Sequence, residues 1–257
     1  MAQIYLVRHG QASFGSQNYD QLSEKGMLQA RALGSWWATR HLQIGRVVTG
    51  GMQRHRETAE ACMAAFAQLP IDPSGVSVQN ESLVGSNLPE WQSDSGLNEY
   101  HHHEVLARHV PAFDDPAAVK RFLIDTPNGK YRFQEIFAEA IARWLSGQHD
   151  GDYTETWQDF RARCVHSLQR QVVQSDGKKN IVIFTSGGTI SAICQSLLGF
   201  PDEKFAELNW SLVNAGVTRL HLQFLPHVSE EPRLALSYLN NFSHLEVLNQ
   251  SEMITYV

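Results

Sequence analysis

The sequence predicts a three-layer α/β/α sandwich on a mostly parallel central sheet, organised as a single domain over residues 1–257. Two observations lead to this. Ile4 to Val7 and Ile181 to Phe184 are apolar runs rich in β formers, as expected of strands covered on both faces. Around them, stretches with helical spacing alternate with short strand candidates, which is the order of parallel α/β folds.

The elements follow in order. Ile4–Val7 is the first strand, and the polar, Gly/Ser-rich stretch Gln11 to Gln21 is a loop. Ser23 is a good N-cap with Glu24 in the first turn, opening a helix to about His41 with Ala30, Leu33 and Trp37 at helical spacing. Val47-Val48 is a short strand before Gly50-Gly51, and a second helix fits Gln53 to Phe66. After a turn at Pro70 to Gly75, Val76 and Val78 suggest a third strand, and Gly85 to Gly96 reads as irregular. Residues 97–152 or so read as a helical insertion over the site. Within it, Asp115-Pro116 is a helix start, Thr126 to Lys130 is a turn, and Phe133, Ile136, Phe137, Ile141 and Trp144 form an amphipathic helix that Gly147 ends. Thr154 is expected to cap a helix running to about Gln174, and Ser175 to Lys179 is a turn. The strand Ile181–Phe184 is followed by a helix carrying Ile190, Ile193, Cys194 and Leu197, then by strands at Val217 to Phe224 and near Leu234 to Leu239. The tail after Phe242 reads as packed but irregular.

Composition narrows the function. Hydrophobic residues are 42% and charged residues 19% of the chain, an ordinary globular balance. The net charge of −6 argues against a general nucleic-acid surface, so any anion site is a local basic pocket. The three cysteines, Cys62, Cys164 and Cys194, are widely spaced without a Cys-x-x-Cys, which reads as core thiols rather than disulfides or a zinc cluster. Neither a signal peptide nor an apolar run of about 18 residues is evident. The expectation is a cytoplasmic protein with no membrane partner.

Four short motifs carry the chemistry. Arg8-His9-Gly10 directly follows the first strand, at the sheet rim where α/β folds place their sites. Met52-Gln53-Arg54-His55-Arg56-Glu57-Thr58-Ala59 follows the second strand, Leu97-Asn98-Glu99 lies between the halves, and Thr185-Ser186-Gly187-Gly188 ends the second buried strand. Together these resemble the histidine phosphatase superfamily, the phosphoglycerate-mutase-like proteins. Arg8-His9-Gly10 is similar to its Arg-His-Gly signature. The second motif is similar to its Leu-x-Arg-x-x-Gln-Thr-Ala stretch, with Met52 for Leu and Glu57 for Gln. The third is similar to its Leu-x-Glu segment.

The resemblance implies that His9 accepts a phosphoryl group and that Arg8 and Arg54 bind phosphate. It also implies that Glu99 handles the leaving-group proton, with Glu81 as rival because it closely follows the third strand candidate. Two guanidiniums match the roughly two negative charges of a phosphate monoester, so no metal and no cofactor are expected. The partner is a small phosphorylated substrate or a phosphoprotein.

The fourth motif departs from the family's Ser-His-Gly-Gly, since Ser186 stands where the second histidine belongs. Ser186 donates only a neutral hydrogen bond, and charge-assisted ones are about twice as strong. Outright loss of one transition-state donor costs ~3–4 kcal/mol in other enzymes, so slowed transfer is expected, with Gly187 and Gly188 amides as further phosphate donors. The expected activity is hydrolysis of phosphate monoesters through phospho-His9. The alternatives are a slow or inactive phosphate-binding regulatory pseudoenzyme and a phosphoglycerate mutase, the latter disfavoured because a mutase must hold a long-lived phosphohistidine. His55 is weighed as a substitute imidazole, but on a helix it points about 100° away from Arg54. A Ser186 nucleophile would need a Gly-x-Ser-x-Gly elbow, which Phe184 breaks. His101, His102 and His103 read as solvated residues beside the pocket, since three consecutive ligands rarely converge on one ion.

Overall fold

The computed structural model describes residues 3–13, 20–68, 89–173, 180–223 and 233–256. Its strands are β1 (Gln3–Arg8), β2 (Ile44–Thr49), β3 (Glu90–Ser93), β4 (Asn180–Thr185), β5 (Val217–Gln223) and β6 (Arg233–Asn241). Its helices are α1 (Glu24–Ala38), α2 (Gln53–Ala67), α3 (His102–His109), α4 (Pro116–Asp125), α5 (Gly129–Leu145), α6 (Trp157–Val173), α7 (Gly187–Leu198), α8 (Phe205–Ser211) and a final turn, α9 (Ser243–Glu246). Among the described residues the sheet order is β3-β2-β4-β1-β5-β6. The four strands from β3 to β1 are mutually parallel, while β5 and β6 run antiparallel at one edge.

The layers follow from the period of two along each strand. Ile4 and Leu6 of β1, with Ile181 and Ile183 of β4, face one core together with Trp144, Trp157, Phe160 and Phe205. Tyr5 and Val7, with Val182 and Phe184, face the other, against Leu33 and Trp37 of α1 and Cys62 of α2. Hence the two apolar runs have no polar face. The three cysteines are free and buried, as core thiols should be, and burial pushes the Cys164 and Cys194 thiols up to about 12. Among the described residues no helix is long and apolar enough to cross a membrane.

Local chemistry explains most helix starts. The Ser23 hydroxyl accepts from the Gly26 amide, and Asp115 accepts from Ala117 N with Pro116 at the first helical position. Gly147 lies just past α5 at φ +68°. The helices α3 to α5 fall within the segment expected to be a helical insertion.

Two expectations need correction, and one helix has no counterpart in the sequence reading. The segment read as irregular contains β3, an edge strand paired parallel with β2. Its sequence Glu-Trp-Gln-Ser faces mostly solvent, so it lacks the apolar signal of a covered strand. Thr154 does not cap α6. Its hydroxyl donates to Glu104 at 2.6 Å, and the cap belongs to Thr156, whose oxygen accepts from Asp159 N at 3.1 Å. Helix α8 was not anticipated, since only Phe205 of its seven residues is buried. Val76, Val78, Glu81 and the turns at Pro70 to Gly75 and Ser175 to Lys179 lie outside the described residues. The tail is packed, with Leu245 and Met253 buried and the Met253 carbonyl held by Gln29 Nε2 at 2.8 Å.

One aromatic cluster joins the helical segment to the sheet. Trp144 of α5 stacks on Tyr100 at 5.1 Å between ring centroids and meets Trp157 and Phe160 of α6 at 5.5 and 5.7 Å. Its indole N–H donates to Glu155 O at 2.9 Å. Truncation would leave a large cavity and orphan that carbonyl. Trp144→Ala is therefore expected to lower unfolding free energy by about 3–5 kcal/mol, read from the denaturation midpoint at unchanged m-value.

Candidate active site

The site forms where β1, β4 and α2 meet. Arg8 pairs in register with Thr185, so His9 and Ser186, one residue further on, leave neighbouring parallel strands side by side. The His9 amide donates to Thr185 O at 2.8 Å, and the His9 carbonyl accepts from Ala215 N at 3.2 Å. Gly10 N donates to Thr58 Oγ1 at 3.1 Å, and that hydroxyl donates to Arg54 O at 2.6 Å. The threonine of the second motif thus ties the end of β1 to the start of α2. Gly10 serves close packing rather than a sharp turn, because a Cβ there would collide with the backbone of Gly26 in α1.

Both ring nitrogens of His9 have partners with fixed roles. Nδ1 lies 2.7 Å from Gly10 O, which can only accept, so Nδ1 carries the proton. Nε2 lies 3.2 Å from Arg54 Nε, which can only donate, so Nε2 holds the lone pair. Burial first, then the charges of Arg54 and Arg8 and the neighbouring His55, hold the His9 pKa well below the usual histidine value of 6.5. The imidazole is neutral at neutral pH, with its nucleophilic nitrogen aimed at a guanidinium. His9 is buried, with 8% exposure.

The two arginines are oriented by different partners. Arg54 Nη1 pairs with Asp20 Oδ1 at 2.6 Å, while Asp20 Oδ2 accepts from Gln53 N at 2.8 Å at the start of α2. Arg8 Nη1 donates to Leu212 O. Glu57, where the family pattern has Gln, accepts from Leu22 N at 2.8 Å and from Gln53 Nε2 at 2.6 Å. It anchors the loop before α1.

Glu99 lies within electrostatic reach of both arginines. Its carboxylate accepts from Gly188 N and Tyr100 N, each at 3.1 Å. A Cβ at position 188 would collide with that carboxylate. Burial raises the Glu99 pKa above the usual carboxylate value of 4.5, outweighing the two amides and the charges of Arg54 and Arg8 that lower it. The Glu99 segment is clamped: Leu97 O accepts from Thr185 Oγ1 at 2.6 Å, and Asn98 O accepts from Thr189 Oγ1 at 3.1 Å and Arg163 Nη1 at 3.0 Å. One expectation is modified here. The Gly188 amide serves Glu99 rather than a phosphate oxygen. Gly187 lies where a side chain would press on Asn209 and Arg8 Nε.

Ser186 is fully buried, and its Oγ lies 2.6 Å from Nε2 of His55, which is also fully buried. The His55 ring lies 5.8 Å from that of His9, centroid to centroid. The objection from helical geometry therefore fails. Arg54 and His55 occupy the first turn of α2, whose start follows β2, and β2 lies beside β4. From a helix end aimed into the site, neighbouring side chains diverge around one point. Arg54 reaches β1 and His55 reaches β4.

Asp20 is a site residue that no motif indicated. It lies in a segment read only as loop, and its partner, 34 residues away, becomes evident only in the fold. His102, at the start of α3, has its pKa lowered to about 4, by burial first and then by Arg54, which puts it within electrostatic reach of the pocket. His101 and His103 are exposed. Among the described residues no group of three or more His, Cys, Asp or Glu side chains is placed to hold a metal ion.

Several solved structures share the fold of this chain at low identity. One described as mycobacterial hydrolase 1 has 19% identity and a TM-score of 0.55, covering 94% of this chain and 99% of its own. A mycobacterial glucosyl-3-phosphoglycerate phosphatase has 19% identity and a TM-score of 0.54, covering 93% and 99%. A mutant of a phosphoserine phosphatase from Entamoeba histolytica, in complex with phosphoserine, has 16% identity and a TM-score of 0.58, covering 95% and 100%. The family model for branch 1 of the histidine phosphatase superfamily matches residues 4–74 and 127–224, well over half of the chain. The chain therefore belongs to the histidine phosphatase superfamily.

Proposed function

We propose that this protein is a phosphatase hydrolysing phosphate monoesters through a phosphohistidine on His9. The observation that carries the reading is His9 Nε2, unprotonated and 3.2 Å from Arg54 Nε, with Nδ1 tied to a carbonyl. A phosphoryl group on His9 Nε2 would displace that hydrogen bond and turn its oxygens toward the Arg54 guanidinium. The phosphatase neighbours support the same class of chemistry.

The steps balance with water as the only co-reactant. His9 Nε2 attacks phosphorus, and the P–O ester bond breaks as protonated Glu99 gives its proton to the departing alkoxide. Arg8 and Arg54 hold the phosphoryl oxygens. Glu99, now a carboxylate, takes a proton from water. The water oxygen attacks phosphorus, the P–N bond breaks, and inorganic phosphate leaves His9 neutral again. The residues inferred to hold phosphate are Arg8, Arg54 and Ser186, with Gly187 beside them. The substrate is a small phosphorylated metabolite or a phosphoprotein, and the reducing cytoplasm suits three free thiols.

Steady-state hydrolysis of p-nitrophenyl phosphate tests the proposal directly. Turnover is expected in the wild type and should fall at least ~10³-fold in His9→Ala. A wild type as slow as that variant would instead favour a phosphate-binding regulatory protein.

The pH profile has a determined sign. His9 must be neutral, so activity falls on the acid side only well below pH 6.5, where the depressed imidazole finally gains a proton. Glu99 must start protonated, so activity falls on the alkaline side as pH rises through its elevated pKa. A bell with an acidic optimum in kcat/KM is expected. Glu99→Gln should remove the alkaline limb and lower kcat by ~10²–10⁴-fold, with a smaller loss on p-nitrophenyl phosphate, whose leaving group needs less protonation.

A further inference from the structure

We infer that His55 takes the part of the strand histidine that Ser186 replaces: its Nε2–H donates to Ser186 Oγ and so presents the Ser186 hydroxyl proton to a phosphoryl oxygen on His9. This rests on the phosphatase reading and deepens it. Ser186 is the donor that touches the phosphoryl group, and His55 is a positioning residue acting through it.

The geometry supplies the argument. Ser186 leaves β4 beside His9, one residue past the paired Arg8 and Thr185. A hydroxyl is shorter than an imidazole, so its direction must be fixed by something else. His55 Nε2 lies 2.6 Å from Ser186 Oγ, and its ring centroid lies 5.8 Å from that of His9. Both side chains are fully buried.

Proton bookkeeping then sets the direction of donation. His55 Nδ1 is buried without a hydrogen-bond partner among the described residues. Buried N–H groups are left unpaired more rarely than buried acceptors, which favours the ring proton on Nε2. Nε2–H therefore donates, the serine oxygen accepts, and the serine hydrogen is left for another acceptor. Burial, with the charge of Arg54, keeps the His55 pKa well below 6.5 and the ring neutral. Chained donors polarise one another, so this pair is a stronger donor than a lone serine. A Cβ at Gly50 would collide with the His55 ring, so the backbone before α2 also leaves space for it.

Orthovanadate binding by calorimetry, alongside p-nitrophenyl phosphate kinetics, tests the pair. Ser186→Ala and His55→Leu should each weaken vanadate about tenfold and lower kcat more than they raise KM. The double variant should be no weaker than either single one, because the two act as a unit. His55→Gln, which keeps a donor near the Nε2 position, should recover most of the loss seen in His55→Leu. Additive losses, a His55→Leu that binds as wild type, or a His55→Gln as weak as His55→Leu would each overturn the inference. If His55→Leu does not fold, His55→Gln must bind several-fold more tightly than Ser186→Ala, and equal affinities overturn it. The readouts separate the two readings. Vanadate affinities that follow this pattern without any turnover sink the phosphatase reading and keep the pair. His9-dependent turnover indifferent to His55 sinks the pair alone. A wild type that binds no vanadate sinks both.

Discussion

The site depends on one imidazole held between a carbonyl that can only accept and a guanidinium that can only donate. Those partners leave His9 a single neutral tautomer. Much of the surrounding fold serves to keep them in place. The register of β1 on β4 sets where His9 leaves the sheet. The Thr58 hydroxyl, held by its own helix through Arg54 O, accepts from Gly10 N, so β1 and α2 cannot separate without losing that bond. Close approach of α1, permitted by the bare Cα atoms of Gly10 and Gly26, packs the turn from the other side.

Charge is arranged around this point against the trend of the whole molecule. The chain carries a net charge of −6, yet two arginines converge on His9. Asp20 balances part of that positive charge through Arg54 Nη1 at 2.6 Å. A carboxylate there opposes phosphate binding, but it fixes the guanidinium plane before any ligand arrives, and an oriented arginine loses less entropy on binding. At Glu99 burial opposes two amides and two guanidiniums, and burial prevails. The same enclosure therefore lowers the basicity of His9 and raises that of Glu99, the division of labour that the proposed nucleophile and acid require.

The sequence disclosed the fold wherever burial was two-sided and the site wherever residues lay at strand ends. Covered β1 and β4 showed as unbroken apolar runs, whereas β3, exposed at an edge, did not. Arg8, His9, Arg54 and Glu99 could be picked out as candidates because each sits in a short motif beside a sheet terminus. The contact of His55 with Ser186 spans 131 residues and depends on β2 lying next to β4, which no local pattern encodes. The about 100° step per helical residue holds for side chains viewed down a helix axis, and it misleads at a helix start directed into a cleft. Thr154 and Thr156 show the same limit in miniature. Both are plausible caps, and only the position of Glu104 decides that the first is otherwise engaged.

Exchanging a charged donor for a neutral pair bears on what the reading implies about the intermediate. A phosphoryl group on nitrogen carries about two negative charges, and each cation facing it lengthens its life. In this site Arg8 and Arg54 supply positive charge, while Ser186 and His55 supply only dipoles, His55 being too buried to ionise near neutral pH. On the phosphatase reading, such a site would stabilise the passing transition state by orientation more than it would store the covalent intermediate by charge. A short-lived phosphohistidine suits transfer to water, because water needs no waiting time to bind. It suits a mutase poorly, because there the intermediate must outlast exchange of one organic ligand for another.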